Sequence, residues 1–145
     1  MFGKGRRLFS IASVGLIVIA VMHLIGHLQA PPADLVTATL YAAMRSYEVD
    51  AGIGKPSMMN VLDSLSFGTS IMLAWMGLIN LAIAKYVSVG ERLIRTVCTL
   101  NIFATWTLVA AYAYYEVPPP AISLAIVAML FTIARFRVRL SHPHL

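Results

Sequence analysis

Residues 8–28 have the sequence LFSIASVGLIVIAVMHLIGHL, which contains no Asp, Glu, Lys or Arg. A helix needs about 20 apolar residues to cross a bilayer, so this stretch is long enough for one span. Lys4, Arg6 and Arg7 precede it, as basic residues do in a signal peptide. The apolar run continues to Leu28 without a small-residue cleavage site, which predicts a retained membrane anchor.

Three more apolar stretches follow, at about residues 61–84, 93–115 and 117–134. The last begins with three prolines, 118–120, which a helix tolerates in its first turn because those N–H groups have no intrahelical partner. The short alternating strands of a membrane barrel are absent from the sequence, so helices are the expected spanning elements. The sequence predicts an all-α, integral membrane four-helix bundle that forms one transmembrane domain over residues 1–145.

The composition agrees with a lipid environment. Of the 145 residues, 59% are hydrophobic and 12% charged, and the mean hydropathy is +0.80. Soluble domains are about 45–50% apolar and about 25% charged. The formal net charge of +5 comes from short clusters beside the apolar stretches, so nucleic acid is not an expected partner. A single cysteine, Cys98, excludes chemistry that needs an intrachain disulfide.

The basic residues predict an orientation. Nine Lys and Arg residues fall on one side of the predicted spans, whereas only Arg45 and Lys55 fall on the other. The positive-inside rule then places both termini in the cytoplasm, for a protein of the bacterial inner membrane. The nine are Lys4, Arg6, Arg7, Lys85, Arg92, Arg95, Arg135, Arg137 and Arg139.

The long connection, residues 29–60, is expected in the periplasm. Pro31 and Pro32 end the first span, residues 33–47 predict a short helix, and a return rich in Gly and Pro follows. This helix could lie on the membrane surface. A loop of this length in a small bundle could also be functional.

The candidate site lies at the outer ends of the spans, where ionisable side chains are costly and suggest function. Its residues are His23, His27, Asp63, Tyr112 and Glu116. They could simply tie the helices together by hydrogen bonds, or they could bind a quinone or a lipid headgroup. Imidazole and carboxylate also suit a divalent metal, for which His23 and His27 are the candidate ligands. No catalytic residue and no resident cofactor is predicted.

A haem with two histidine ligands within one subunit is not expected. Such a haem needs histidines on two facing helices, but both histidines within a span, His23 and His27, lie on the first. His142 and His144 are in the other predicted compartment. A haem with histidine ligands from two subunits is still compatible with the sequence.

Two other patterns concern lipid and helix contacts. Arg135, Arg137 and Arg139 alternate along the C-terminal tail and are expected to bind anionic lipid headgroups. Ser64 and Gly68 are spaced as the small residues that let membrane helices approach closely.

The segment from Met44-Arg45-Ser46-Tyr47 to Ser57-Met58, with the small-residue-rich span after it, resembles an uncharacterised family of four-span bacterial membrane proteins. The resemblance covers roughly residues 23–80. It implies the four-span topology and no activity. The chain differs from that family after the Ser-Met pair, where it has Met59 and Asn60.

The leading expectation is a non-enzymatic accessory or structural subunit, packed against a larger membrane complex of respiratory, photosynthetic or transport function. The alternative is a stand-alone bundle that binds a quinone, lipid or metal at the outer polar cluster. Its expected partners are the lipid bilayer and other membrane subunits.

Overall fold

The computed structural model describes residues 4–29, 34–50, 52, 54–86 and 91–138. This part of the chain is all-α, and four of its five helices are long and apolar enough to cross a membrane. These findings confirm the predicted fold class and number of spans, while the sides of the membrane stay a prediction. The helices are α1 (Lys4–Leu28), α2 (Leu35–Ser46), α3 (Met58–Tyr86), α4 (Glu91–Tyr114) and α5 (Pro118–Arg137).

Each of the four spanning helices extends at one end or both beyond the apolar stretch that predicted it. α1 begins at Lys4 instead of residue 8, and α3 begins at Met58 instead of residue 61. α4 begins at Glu91 instead of residue 93, and α5 ends at Arg137 instead of residue 134.

At α1, α4 and α5 the apolar stretch stops at a charge, but Lys and Arg are good helix formers and continue the backbone hydrogen bonding. Their long side chains can also reach the polar interface from within a helix. At the start of α3 the Ser57 Oγ accepts a hydrogen bond from the Asn60 N–H at 3.2 Å, as a helix cap does.

The contacts of the chain group into two units, here called unit 1 (residues 1–19 and 73–145) and unit 2 (residues 20–72). Unit 1 contains the first part of α1, the last part of α3, and all of α4 and α5. Unit 2 contains the rest of α1 and α3 together with α2. The prediction of one transmembrane domain stays a prediction.

Unit 1 has an interior of apolar side chains. The rings of Phe9 and Phe131, both fully buried, meet edge to face with centroids 5.8 Å apart and so join α1 to α5. α4 packs along α5. A Cβ added to Gly77 would lie 2.7 Å from the backbone oxygen of Ser13, so α1 and α3 approach each other closely at this glycine.

A polar pair lies within that interior. Asn80 on α3 and Asn101 on α4 are 3% and 4% exposed. The Asn80 Nδ2 donates to Asn101 Oδ1 at 2.9 Å, and the Asn101 Nδ2 donates in return to Asn80 Oδ1 at 3.3 Å. The same Asn101 nitrogen donates to the Val97 oxygen at 2.8 Å. Because these groups satisfy each other, the pair can be buried without unpaired polar atoms and fixes the register of α3 against α4.

In unit 2, α2 lies within the predicted helix of residues 33–47. Asp34 caps its first turn, where Oδ1 accepts a hydrogen bond from the Thr37 backbone N–H at 2.8 Å. This bond lowers the pKa of the Asp34 carboxyl from its usual value of 3.8. The return to α3 is closed by an antiparallel bridge between Glu48 and Ser57, which the sequence did not predict. The two ends of the return are thereby held together at the start of α3.

Candidate functional site

Two of the five predicted site residues come together in unit 2. His27, in the last turn of α1, and Asp63, in the second turn of α3, place Nε2 and Oδ1 3.3 Å apart. The two side chains are 18% and 38% exposed, so the imidazole is the more enclosed of the pair. The pair joins α1 to α3 near the ends of both helices.

The contact between His27 and Asp63 is close but not aligned as a hydrogen bond. Asp63 Oδ1 is buried and has no hydrogen-bond partner among the described residues. A distance of 3.3 Å permits electrostatic attraction when the imidazole is protonated, but a ring N–H must also point at its acceptor. The carboxylate oxygen can therefore still accept a hydrogen bond from a suitably placed donor.

Phe67 completes this cluster. Its ring meets the His27 imidazole edge to face, with centroids 5.2 Å apart and planes at 83°. Phe67 lies one turn after Asp63 on α3, so one face of this helix supplies both the carboxylate and the aromatic wall. Contacts with an aromatic ring and with a carboxylate would together hold the imidazole in one orientation.

The other three predicted site residues are placed as follows. His23 lies one turn before His27 on α1 and is half-buried. Tyr112 is half-buried near the end of α4, and Glu116 is exposed in the connection to α5. Tyr112 and Glu116 belong to unit 1, whereas the two histidines and Asp63 belong to unit 2.

The backbone at Glu116 has an unusual conformation. Its φ is 56°, in the left-handed region that non-glycine residues rarely occupy. The Glu116 N–H donates to the Ala113 oxygen at 3.2 Å, and the Val117 N–H donates to the Tyr112 oxygen at 2.9 Å. These two bonds form a Schellman motif, which ends α4 and usually has glycine at this position.

We expect Glu116→Gly to stabilise the chain by about 1 kcal/mol, since glycine occupies the left-handed region without the steric cost of a Cβ. The free energy of unfolding in detergent measures this effect. Tyr115→Gly is the control, because Tyr115 precedes the left-handed position and its replacement should destabilise. A loss of stability in Glu116→Gly would mean that the glutamate side chain makes a stabilising interaction larger than the backbone strain.

His23 and His27 are the predicted candidates for metal ligands. Within the described residues, no group of three or more His, Cys, Asp and Glu side chains could hold a metal ion. The geometry instead gives one imidazole and one carboxylate in contact. Two such groups can bind or transfer a proton and can orient a polar small molecule. A zinc site in a protein uses three or four coordinating side chains, which is more than this pair supplies.

The predicted headgroup residues at the end of α5 are not equivalent. Arg135 is half-buried and its Nε donates to the Thr99 Oγ1 at 2.8 Å, which joins α5 to α4. Arg137 is exposed, and Arg139 lies outside the described residues, as do His142 and His144. Arg135 thus has a helix-joining contact in addition to the predicted contact with lipid.

Sequence reasoning missed one prominent polar residue, Asn80. Asn80 lies three residues after Gly77 and on the same face of α3 as Ser70, so helical spacing along these small and polar residues could have found it. Its partner is Asn101 on α4, and spacing within one helix does not identify a partner on another helix. These two amides form the buried pair of unit 1.

The four spanning helices, each at least 20 residues long, define the class of this chain as a multi-pass membrane protein. Comparisons with protein-family models, with curated proteins and with solved structures gave no match. The resemblance to four-span bacterial proteins therefore stays a prediction.

Proposed function

We propose that this chain is a small accessory subunit of a larger membrane protein complex, in the bacterial inner membrane with both termini in the cytoplasm. It would contribute helix surface rather than chemistry. The observation that carries the proposal is an unused small-residue face on α3, which Ser64 and Gly68 form.

Among the described residues, the small-residue face has open space beside it. Ser64 is exposed, and a Cβ added to Gly68 would meet no atom within 4 Å. Gly77, on the same helix, is in close contact with α1 instead. Glycine and serine in this spacing let a second helix approach closely, and lipid chains gain nothing from such a surface. A helix of another subunit is the occupant that fits.

The exposed apolar surface of α2 supports the same proposal. None of its residues is buried, and Leu35 and Val36 are 82% and 80% exposed. An apolar surface in a segment between two spans needs a cover, which is a partner protein or the membrane interface. A larger complex would cover α2 and the small-residue face of α3 at the same time.

We expect Gly68→Leu to displace the partner while the chain itself remains folded. The leucine fills the space that the partner helix would use, and leucine has a higher helix propensity than glycine. The measurement is recovery of partner subunits with the tagged chain after gentle detergent extraction. The control is Gly26→Leu on α1, where a Cβ also meets no atom within 4 Å. Equal recovery of partners with both variants and the wild type would contradict the proposal.

A second candidate function, binding of a quinone, lipid headgroup or metal at the outer cluster, is favoured by the unsatisfied oxygen of Asp63. A donor group of the ligand could form a hydrogen bond to that oxygen. The His23 and His27 imidazoles would then be further donors or proton acceptors. In this case His23→Ala and Asp63→Asn would remove the bound ligand and leave the fold intact. If they lower the unfolding temperature and no ligand is lost, the cluster only ties the helices together.

A further inference from the structure

A groove in unit 1 is lined by residues that take part in neither of the functions proposed above. It is an open groove of about 540 Å³ between α1 and α3. Its charged residues, among those described, are all cations, and the others are apolar or small. They are Arg6, Arg7, Ser10, Ile11, Leu81, Ala84 and Lys85.

The cations and the apolar residues of the groove lie at two different depths. Arg7 is in the first turns of α1, and Ile11 lies one turn further along. Lys85 is at the end of α3, and Leu81 lies one turn before it. Four residues of helix correspond to about 6 Å. Because α1 begins where α3 ends, both helices put their cations at the membrane surface and their apolar side chains one turn deeper.

A hydrogen bond fixes the two walls of the groove relative to each other. The guanidinium of Arg6 donates through Nε to the Ala84 backbone oxygen at 2.7 Å and also through Nη2. Ala84 is near the end of α3, where carbonyl groups lack intrahelical partners. Arg6 thus holds α1 against α3 and brings its positive charge to the groove. Arg7 is exposed beside it.

We propose that this groove is a binding site for an anionic phospholipid. The phosphate would lie against Arg7 and Lys85, and the first part of an acyl chain would lie along Ile11 and Leu81. Ile11 is 55% exposed, so a lipid chain would cover apolar surface there. The small side chain of Ala84 leaves space between them. The cytoplasmic leaflet, where the positive-inside rule places these cations, is rich in anionic lipid.

The two-level arrangement favours a lipid over a free anion. A free phosphate would use the cations and leave Ile11 and Leu81 uncovered, whereas an anionic phospholipid matches both levels. The C-terminal arginines are not among the residues that line this groove, and the proposal does not depend on the accessory role.

The test is native mass spectrometry of the full chain in detergent, titrated with phosphatidylglycerol, phosphatidylcholine or inorganic phosphate. The variants are Arg7→Gln/Lys85→Gln and Ile11→Gln. Arg92→Gln/Arg95→Gln is the charge-matched control, since α4 begins at the same membrane face. Each surface cation contributes about fivefold to anionic lipid binding, so the first variant should weaken phosphatidylglycerol binding roughly 25-fold. Ile11→Gln should weaken it less, and the control should leave it unchanged.

Three results would overturn the proposal. Equal binding of phosphatidylcholine would mean that the headgroup charge is not recognised. Equal loss in the control variant would mean that only the overall charge matters. Binding of inorganic phosphate as tight as that of phosphatidylglycerol, and unchanged by Ile11→Gln, would make the groove a site for a free anion. Circular dichroism of each variant checks that loss of binding does not come from unfolding.

Discussion

Replacing Gly77 by alanine should destabilise the chain by about 1–3 kcal/mol, the usual cost of overpacking a well-packed interior. The new Cβ would lie 2.6 Å from Ile17 Cγ1 and 2.7 Å from the Ser13 backbone oxygen. The isoleucine side chain can move, but the backbone oxygen belongs to a helix and can retreat only if α1 and α3 separate. The free energy of unfolding, from denaturation in mixed micelles followed by circular dichroism, measures the loss.

Gly68→Ala is the matched control for this prediction. It makes the same chemical change on the same helix, at a position where the Cβ meets no atom within 4 Å. Alanine has the higher helix propensity, so the control should be neutral or slightly stabilising. Equal effects of the two substitutions would contradict the close approach of α1 and α3 at Gly77.

Replacing Asn101 by leucine should cost about 2 kcal/mol, because the Asn80 amide would lose both of its bonds to Asn101 in a buried position. An unsatisfied buried polar group carries a desolvation penalty of about 1–3 kcal/mol, which is larger than the net value of a satisfied bond. The same unfolding measurement applies to this variant.

The double variant Asn80→Leu/Asn101→Leu distinguishes the loss of a pair from a loss of packing volume. With both polar groups gone, no amide remains unsatisfied, so most of the stability should return. Losses in the double variant that equal the sum of the two single losses would mean that the two residues act independently, against the geometry of the pair.

The spanning helices could be predicted from the sequence because the length of an apolar stretch is set by the thickness of the bilayer. Their inner faces could be predicted as well. Ser70 and Gly77 on α3, and Asn101 and Thr105 on α4, are buried, as their helical spacing indicates. The exact helix ends could not be predicted, because Arg7 and Arg135 end the apolar stretches while the helices continue past them to Lys4 and Arg137.

The site was only partly predictable. Helical spacing places His27 and Asp63 on particular faces of two helices, but their separation depends on how those helices pack. Helical spacing also cannot show that the contact between His27 and Asp63 lacks the alignment of a hydrogen bond. The left-handed backbone at Glu116 has no signal in the sequence, because the residue usually found in that conformation is glycine. The groove between α1 and α3 requires two distant segments to meet, which periodicity within one helix does not reveal.

The most direct test of the proposed function is native mass spectrometry of the wild-type chain, gently extracted from its own membranes. The account predicts a discrete assembly that is larger than the chain and contains other protein subunits. A bare monomer or a small homo-oligomer would contradict it. Extra mass on such a species from a quinone or a metal would direct attention to His23, His27 and Asp63 instead.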